Sequence, residues 1–186
     1  MEEEPKAKKN IAVTRSFEKD ITDFNELKER VVTFASVCSE KLRKQNSCCN
    51  TVILYLRKDK FKANGERYSF YRMQTLPFPS NTSFSISQTV LKMLKELYQE
   101  ETAYKKAGVI VTGIVPASQR QFKLFDEENP KYQKIMEVMD AVQAKTGERK
   151  LRLASQDLKR TWKMKQNHLS NRYTTNINEL LEVKCK

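Results

Sequence analysis

Thr51-Val52-Ile53-Leu54-Tyr55-Leu56-Arg57-Lys58, followed by Asn64-Gly65 and then Glu66-Arg67-Tyr68-Ser69-Phe70-Tyr71-Arg72-Met73-Gln74-Thr75, is the stretch from which the fold is read. The first segment is rich in β-formers and alternates. Val52, Leu54 and Leu56 share one side, and Thr51, Ile53, Tyr55 and Arg57 the other, as in a strand with one buried face. Asn64-Gly65 supplies the positive φ angles of a hairpin turn. Glu66 to Thr75 then reads as the returning strand. Pro77 and Pro79 are expected to end it and open a loop. A hairpin with one apolar side is not stable alone and needs a cover.

Both flanks supply that cover. Upstream, Asp23-x-x-Glu26 is a capping-box type of helix start. Phe24, Leu27, Val31, Phe34, Ala35, Cys38 and Leu42 follow at helical spacing, which predicts a helix from about Asp23 to about Lys44. Downstream, Ser85-x-x-Gln88 opens a second helix, with Ile86, Val90, Leu91, Leu94, Leu97 and Tyr98 on its buried face. Before the first helix, Asn10 to Phe17 alternates as a strand, with Ile11, Val13 and Phe17 opposite Ala12, Thr14 and Ser16. Arg15 falls on the apolar side, which means either an exposed end or the reverse facing. Ala107 to Val115 is a short apolar strand bounded by Gly108, Gly113 and Pro116. The succession is β-α-β-β-α-β, an α+β, ferredoxin-like plan. It sets two helices on one face of a four-stranded antiparallel sheet, and the helical and irregular C-terminal extension follows it. The other face of the sheet is left open, and it carries hydroxyls and cations.

The chain changes character after residue 117. Residues 1–9 read as a charged linker, 10–117 as one domain, 118–128 as a polar linker and 129–186 as a C-terminal segment. Within the second linker, Gln121-Phe122-Lys123-Leu124-Phe125-Asp126 is a short apolar cluster. Such a cluster either docks in a preformed pocket on a partner or tethers the tail to the domain's own core. Asn129-Pro130 starts a further helix, with Asn as N-cap and Pro in the first turn. Its stripe is Tyr132, Ile135, Met136, Met139 and Val142, and Gly147 stops it. Lys150 to Leu153 has the makings of a strand.

The 186 residues carry a net charge of +12, which points to a polyanionic partner, most simply nucleic acid. Lys41 to Arg72 holds nine Lys/Arg against Asp59 and Glu66 alone; from Lys145 onward eleven Lys/Arg face four acids. Outward residues of a strand can meet successive phosphates and hold a duplex without reading its sequence. There is no Gly-rich phosphate loop, no Ser-His-Asp set and no carboxylate pair suited to two-metal phosphoryl transfer. Cys38, Cys48, Cys49 and Cys185 lack Cys-x-x-Cys spacing and His168 is the single histidine, so no zinc site is expected. Reduced thiols in the cytoplasm are the expectation. No apolar run approaches membrane-spanning length, and no membrane partner is expected.

Asn10-Ile11-Ala12-Val13-Thr14-Arg15-Ser16-Phe17 resembles the first strand of the little-finger domain of UmuC-type Y-family translesion DNA polymerases. Tyr104-Lys105-Lys106-Ala107-Gly108-Val109 is similar to the start of that domain's last strand. Gln121 to Asp126 resembles the family's sliding-clamp-binding peptide. Trp162-Lys163-Met164-Lys165 and Tyr173-Thr174-Thr175 resemble the UmuC-specific C-terminal segment. The resemblance spans essentially the whole chain, with its signals in the family's order. It implies a sheet that lies in the major groove and grips the phosphates of primer and template. Strand position and resemblance together give Lys9, Asn10, Thr14, Arg15, Ser16, Arg57, Lys58 and Arg72 as DNA contacts. At the clamp, Gln121 would bond at the pocket rim while Leu124 and Phe125 fill it. Phe122 stands where Leu is usual, and Lys123 where a small or acidic residue is usual.

Nothing in the chain corresponds to the family's palm, fingers and thumb. The carboxylates of nucleotidyl transfer, and the Mg2+ they hold, belong to that palm. No catalytic residue, metal site or cofactor is therefore expected here, and the reading applies whether or not a catalytic region precedes Met1. The implied partners are primer–template DNA, the β sliding clamp, a UmuD-type accessory subunit and a recombinase filament, in SOS repair and mutagenesis. Two rivals stand beside this reading. One is a free-standing single-strand binder that stacks bases on Tyr55 and Tyr71. The other is a protein-interaction adaptor whose last seventy or so residues recruit repair proteins, with DNA contact incidental.

Overall fold

Alternation along the chain builds the sheet, and the two predicted helices cover one side of it. The structure is a computed structural model and describes residues 7–59, 68–120, 129–147, 150–156 and 169–180. Its elements are β1 (Ile11–Ile21), α1 (Phe24–Lys44), β2 (Ser47–Lys58), β3 (Ser69–Ser80), α2 (Ser83–Leu97), β4 (Tyr104–Pro116) and α3 (Pro130–Thr146), with short 3-10 turns at Ala117–Gln119 and Ile177–Glu179. The strands form one four-stranded sheet in the order β1-β4-β2-β3, every neighbouring pair antiparallel. The expected succession and layers hold. The strand order puts β4 and β2 at the centre, where a ferredoxin sheet has its first and third strands.

Val52, Leu54 and Leu56 of β2, Ala107, Val109 and Val111 of β4, and Ile11 and Phe17 of β1 face the helices and are buried. Leu27, Val31, Phe34, Ala35, Cys38 and Leu42 of α1 and Ile86, Val90, Met93 and Leu94 of α2 meet them in a single core. Alternation slips between Tyr104 and Ala107 of β4, both in the core, and again in β2. Cys49 and Val52 are both in that core, so the pleat shifts across Asn50. Opposite Asn50, Gly113 adopts φ +62, and a side chain added there would meet Asn50 Cβ at 3.1 Å. β2 and β4 stay in register across this point, so the left-handed glycine lets the two strands change facing together with no extra residue in either.

Two caps depart from the simple reading. Asp23 Oδ2 accepts from Glu26 N at 2.7 Å as expected, but the Glu26 side chain turns to Arg30 at 2.6 Å instead of completing the box. α2 starts two residues before Ser85, with Thr82 as its N-cap. β3 does not end at the prolines but runs through Pro77 and Pro79 to Ser80. The register against β2 jumps from Thr51↔Thr75 to Cys49↔Ser80, so both prolines sit in an irregular stretch of an edge strand, where their missing N–H breaks no ladder. Asn64-Gly65 lies outside the described residues.

α3 has the predicted ends: Asn129 Oδ1 accepts from Lys131 N at 3.0 Å, Pro130 follows, and Gly147 closes the helix at φ +67. The predicted stripe is corrected. Met136 is the buried residue, whereas Ile135 is 42% exposed. The docking side is Tyr132, Met136, Asp140 and Gln143, one row round the helix. Tyr132 stacks on Phe84 with ring centroids 4.6 Å apart. Asp140 accepts from Arg43 Nε at 2.6 Å and Nη2 at 2.8 Å, while Arg43 Nη1 donates to the Asn81 carbonyl at 2.9 Å. Gln143 donates to Glu40 at 2.9 Å. α3 thus rests on the end of α1 and the start of α2. Lys150 to Leu153 is irregular and not a strand; it leads into a turn from Leu153 to Gln156, where Leu153 N donates to the Gln156 side chain.

Candidate nucleic-acid interface

The face of the sheet turned away from α1 and α2 is organised in rows by the register. One row is Ser16, Lys106, Arg57 and Ser69. The next is Thr14, Gly108, Tyr55 and Tyr71, and the third is Ala12, Ile110, Ile53 and Met73. A fourth holds Thr112, Thr51 and Thr75, and Thr112 Oγ1 donates to Asn10 Oδ1 at 2.5 Å at its β1 end. None of these positions is acidic. No helix among the described residues covers them, so hydroxyls and two cations are presented to solvent on a continuous plane.

Each row depends on what the sequence allows locally. Arg57 alternates outward because Leu54 and Leu56 are held in the core. Its Nε is buried, and no hydrogen bond to that atom is made among the described residues. A buried guanidinium nitrogen without a partner is costly, and an anionic ligand at the same guanidinium would offset part of that cost. Gly108 is required by the close approach of β1. A Cβ there would lie 2.8 Å from Thr14 Cβ and 3.0 Å from its Cα, and closer still to Cγ2. The flat second row exists because that position carries no side chain.

The eight expected DNA contacts divide between the two sides of the sheet. Asn10, Thr14, Ser16 and Arg57 fall on the open face. Lys9 is exposed just before β1. Arg15 pairs with Ala107, Lys58 follows Leu56 and Arg72 pairs with Leu54, so register assigns all three to the helix side. The alternation of β1 is therefore as first read, and Arg15 is exposed because its strand is an edge. Lys58 Nζ lies 5.5 Å from the centre of the Phe70 ring. Arg72 reaches α2 and pairs with Glu96 at 2.9 Å. Lys106 is the residue that sequence reading missed. β4 begins at Tyr104 and not at Ala107, and counting back by twos from Ile110 through Gly108 would have placed Lys106 outward beside Arg57.

The expected clamp contacts Gln121, Phe122, Leu124 and Phe125 lie outside the described residues, as do Trp162 to Lys165. Arg120, the last described residue before them, has its guanidinium carbon 5.4 Å from the centre of the Phe78 ring. Tyr173-Thr174-Thr175 belongs to a tight turn built round Glu179, which accepts from Arg172 N, the Arg172 guanidinium and Asn176 Nδ2. Those bonds hold the Glu179 carboxyl below its usual range, the Arg172 backbone N–H most of all. Cys38, Cys48 and Cys49 are buried. Burial pushes the Cys38 and Cys49 thiols up to about 12, so neither is a nucleophile at neutral pH. Among the described residues no cluster of His, Cys, Asp and Glu could hold a metal, and no helix is long and apolar enough to cross a membrane.

Comparison with known proteins gives the chain its relatives. Residues 8–124 match the impB/mucB/samB family C-terminal domain, and residues 133–183 match a domain of unknown function, DUF4113. Protein UmuC of Salmonella typhimurium strain LT2 is 33% identical over 99% of this chain and 44% of its own length. Protein ImpB of Salmonella typhimurium is 33% identical over 94% of this chain and 42% of its own. The putative UV-damage repair protein UvrX of Bacillus subtilis is 24% identical over 69% of this chain and 30% of its own. The chain thus spans less than half the length of these relatives. Among solved structures, the little finger domain of PolIV in a complex with the beta-clamp processivity factor aligns at 18% identity and a TM-score of 0.45, over 63% of this chain and 99% of that one. The Dbh DNA polymerase in an insertion ternary complex aligns at 8% and 0.46, over 57% of this chain and 29% of that one. Both are likenesses too weak to argue from. The family match reaches from the lead-in of β1 past the end of β4, and by it the protein belongs to the impB/mucB/samB family, as that family's C-terminal domain with the segment that follows it.

Proposed function

We propose that this chain is the DNA-binding and clamp-docking portion of a UmuC-like, error-prone translesion polymerase. It holds primer–template duplex by the sugar-phosphate backbone and tethers the polymerase to the ring-shaped sliding clamp. It does not itself add nucleotides. The observation that carries the DNA half is the open sheet face, whose paired rows hold no acid and set Arg57 and Lys106 side by side. The family, the net charge of +12 and a relative named for UV-damage repair support it. The clamp half rests on the peptide Gln121 to Asp126 and its resemblance to the family's clamp-binding peptide.

Fluorescence anisotropy with a labelled duplex tests the first half. Each phosphate contact contributes about 0.9 to the slope of log affinity against log salt. Changing Arg57 and Lys106 together to Ala should weaken binding for every sequence alike and flatten that slope by about 2. Unchanged affinity and slope would remove the sheet from the interface. Replacing Leu124 and Phe125 with Ala should abolish retention on immobilised clamp while duplex affinity stays at the wild-type value. Retention at the wild-type level would refute the docking role.

A further inference from the structure

The open face is not uniform. Among the described residues of the first domain, the exposed large apolar side chains are Tyr68, Tyr71 and Met73, all on β3 or just before it. Tyr71 is 64% exposed and Met73 62%. Tyr71 stands opposite Tyr55, and Met73 opposite Ile53, so the exposed pair extends an apolar platform from the centre of the sheet to its β3 edge. The cationic row of Lys106 and Arg57 is the next row along, about 7 Å away, two residues of strand.

A duplex backbone has no use for this platform. Phosphates and sugars are held by cations, hydroxyls and amides. Flat aromatic surface beside a cation, in paired rows that hold no carboxylate, suits an unpaired base stacked on the ring with its own phosphate at the cation. A peptide strand added along the free outer edge of β3 is the other occupant to consider. Main-chain pairing would run in the plane of the sheet, however, whereas Tyr71 and Met73 share the face that bears Arg57 and Lys106. Continuity with the proposed DNA face therefore favours the base.

We propose that Tyr71, flanked by Tyr55 and Met73, is a stacking platform for an unpaired base, so that this face recognises a duplex together with the single strand continuous with it. The inference rests on the duplex-binding reading above, and its test separates the two. The full chain is titrated with a blunt duplex and with the same duplex bearing a single-stranded template overhang, in which one unpaired adenine is replaced by fluorescent 2-aminopurine. The wild type should prefer the overhang and quench the analogue. Tyr71→Ala should lose about tenfold in overhang affinity, the size of one base–aromatic stack, and lose the quenching. Blunt-duplex affinity should not move, and Tyr71→Phe should keep both properties. Wild type that binds both DNAs equally overturns the platform and leaves the duplex reading standing. Overhang binding without blunt-duplex binding overturns the duplex reading instead. If Tyr71→Ala leaves both affinities unchanged, the platform serves a peptide and the proposal is wrong.

Discussion

Replacing Gly108 with Ala tests the register on which the whole open face depends. The new methyl carbon would lie 2.8 Å from Thr14 Cβ and 3.0 Å from Thr14 Cα. Carbon atoms at rest sit about 3.5–4.0 Å apart, so the overlap approaches 1 Å. Rotating Thr14 removes only its Cγ2 from the clash, because Cβ and Cα move with the backbone. β1 must therefore draw away from β4. β1 is an edge strand whose ladder is to β4, running from Ile11↔Val111 to Ser16↔Lys106, so nothing on its far side resists the shift. Overpacking of this kind costs about 1–3 kcal/mol, and a clash against backbone belongs in the upper half of that range. Against a total stability of about 5–15 kcal/mol the loss is easily measured by urea unfolding. The partner is identified by a double-mutant cycle. Thr14→Gly removes the two closest atoms and leaves only the 3.0 Å contact, so Gly108→Ala should cost about 1–2 kcal/mol less in that background. Equal cost in both backgrounds, or no cost at all, would mean that Thr14 does not lie over Gly108 and that the rows are misdrawn.

Two further perturbations address the helix side. Asp140→Ala removes both carboxylate oxygens from Arg43, whose side chain is 15% exposed and keeps only the Asn81 carbonyl. Asp140 itself is 36% exposed, which discounts the pair to about 1 kcal/mol. Hydrogen exchange should speed up along α3 and stay unchanged in β2 and β4; unchanged protection of α3 would show that this ion pair does not hold it. The second perturbation is alkali. The folded state keeps the Cys38 and Cys49 protons up to about 12 against an ordinary value of 9.0, and burial raises Tyr104 as well. Folding thus binds these protons more tightly, so their contribution is complete below about pH 9 and is lost as pH climbs toward 12. The urea midpoint should fall between pH 8 and pH 10, and fall less when Cys38 and Cys49 are both Ala; an equal fall in the variant would assign the loss to other groups.

Periodicity made the core legible and charge did not make the site legible. Val52, Leu54 and Leu56 are buried as alternation requires, because a central strand pays heavily for a reversed facing. At edges the constraint weakens, and there the sequence misleads. Pro77 and Pro79 look like a stop but continue β3, since an edge strand does not need their N–H. α3 meets only the rim of the helix layer, so one buried Met136 and polar clasps suffice, and Ile135 can stay outside. Strand position and resemblance gave Arg15, Lys58 and Arg72 as DNA contacts, yet register turns them toward the helix side. A long cation carries no apolar marker of its facing, which must be borrowed from its neighbours. Lys106 was missed for the same reason, one residue before a run that was read as starting at Ala107.

The sheet has two sides, and they are kept apart by how each is closed. On the helix side Arg43 joins three pieces of chain: the last turn of α1, the Asn81 turn before α2, and α3 through Asp140. Phe84 adds a ring contact to Tyr132. The beginning of the C-terminal segment is thereby held against the helices, away from the rows of Thr14, Arg57 and Lys106. Had α3 packed on the open face, it would have covered Tyr71 and Met73. Placed where it is, α3 leaves the rows of the open face uncovered. A variant that frees α3, such as Asp140→Ala, should accordingly leave duplex affinity where it was, because the groups that meet phosphate lie across the core from the broken clasp.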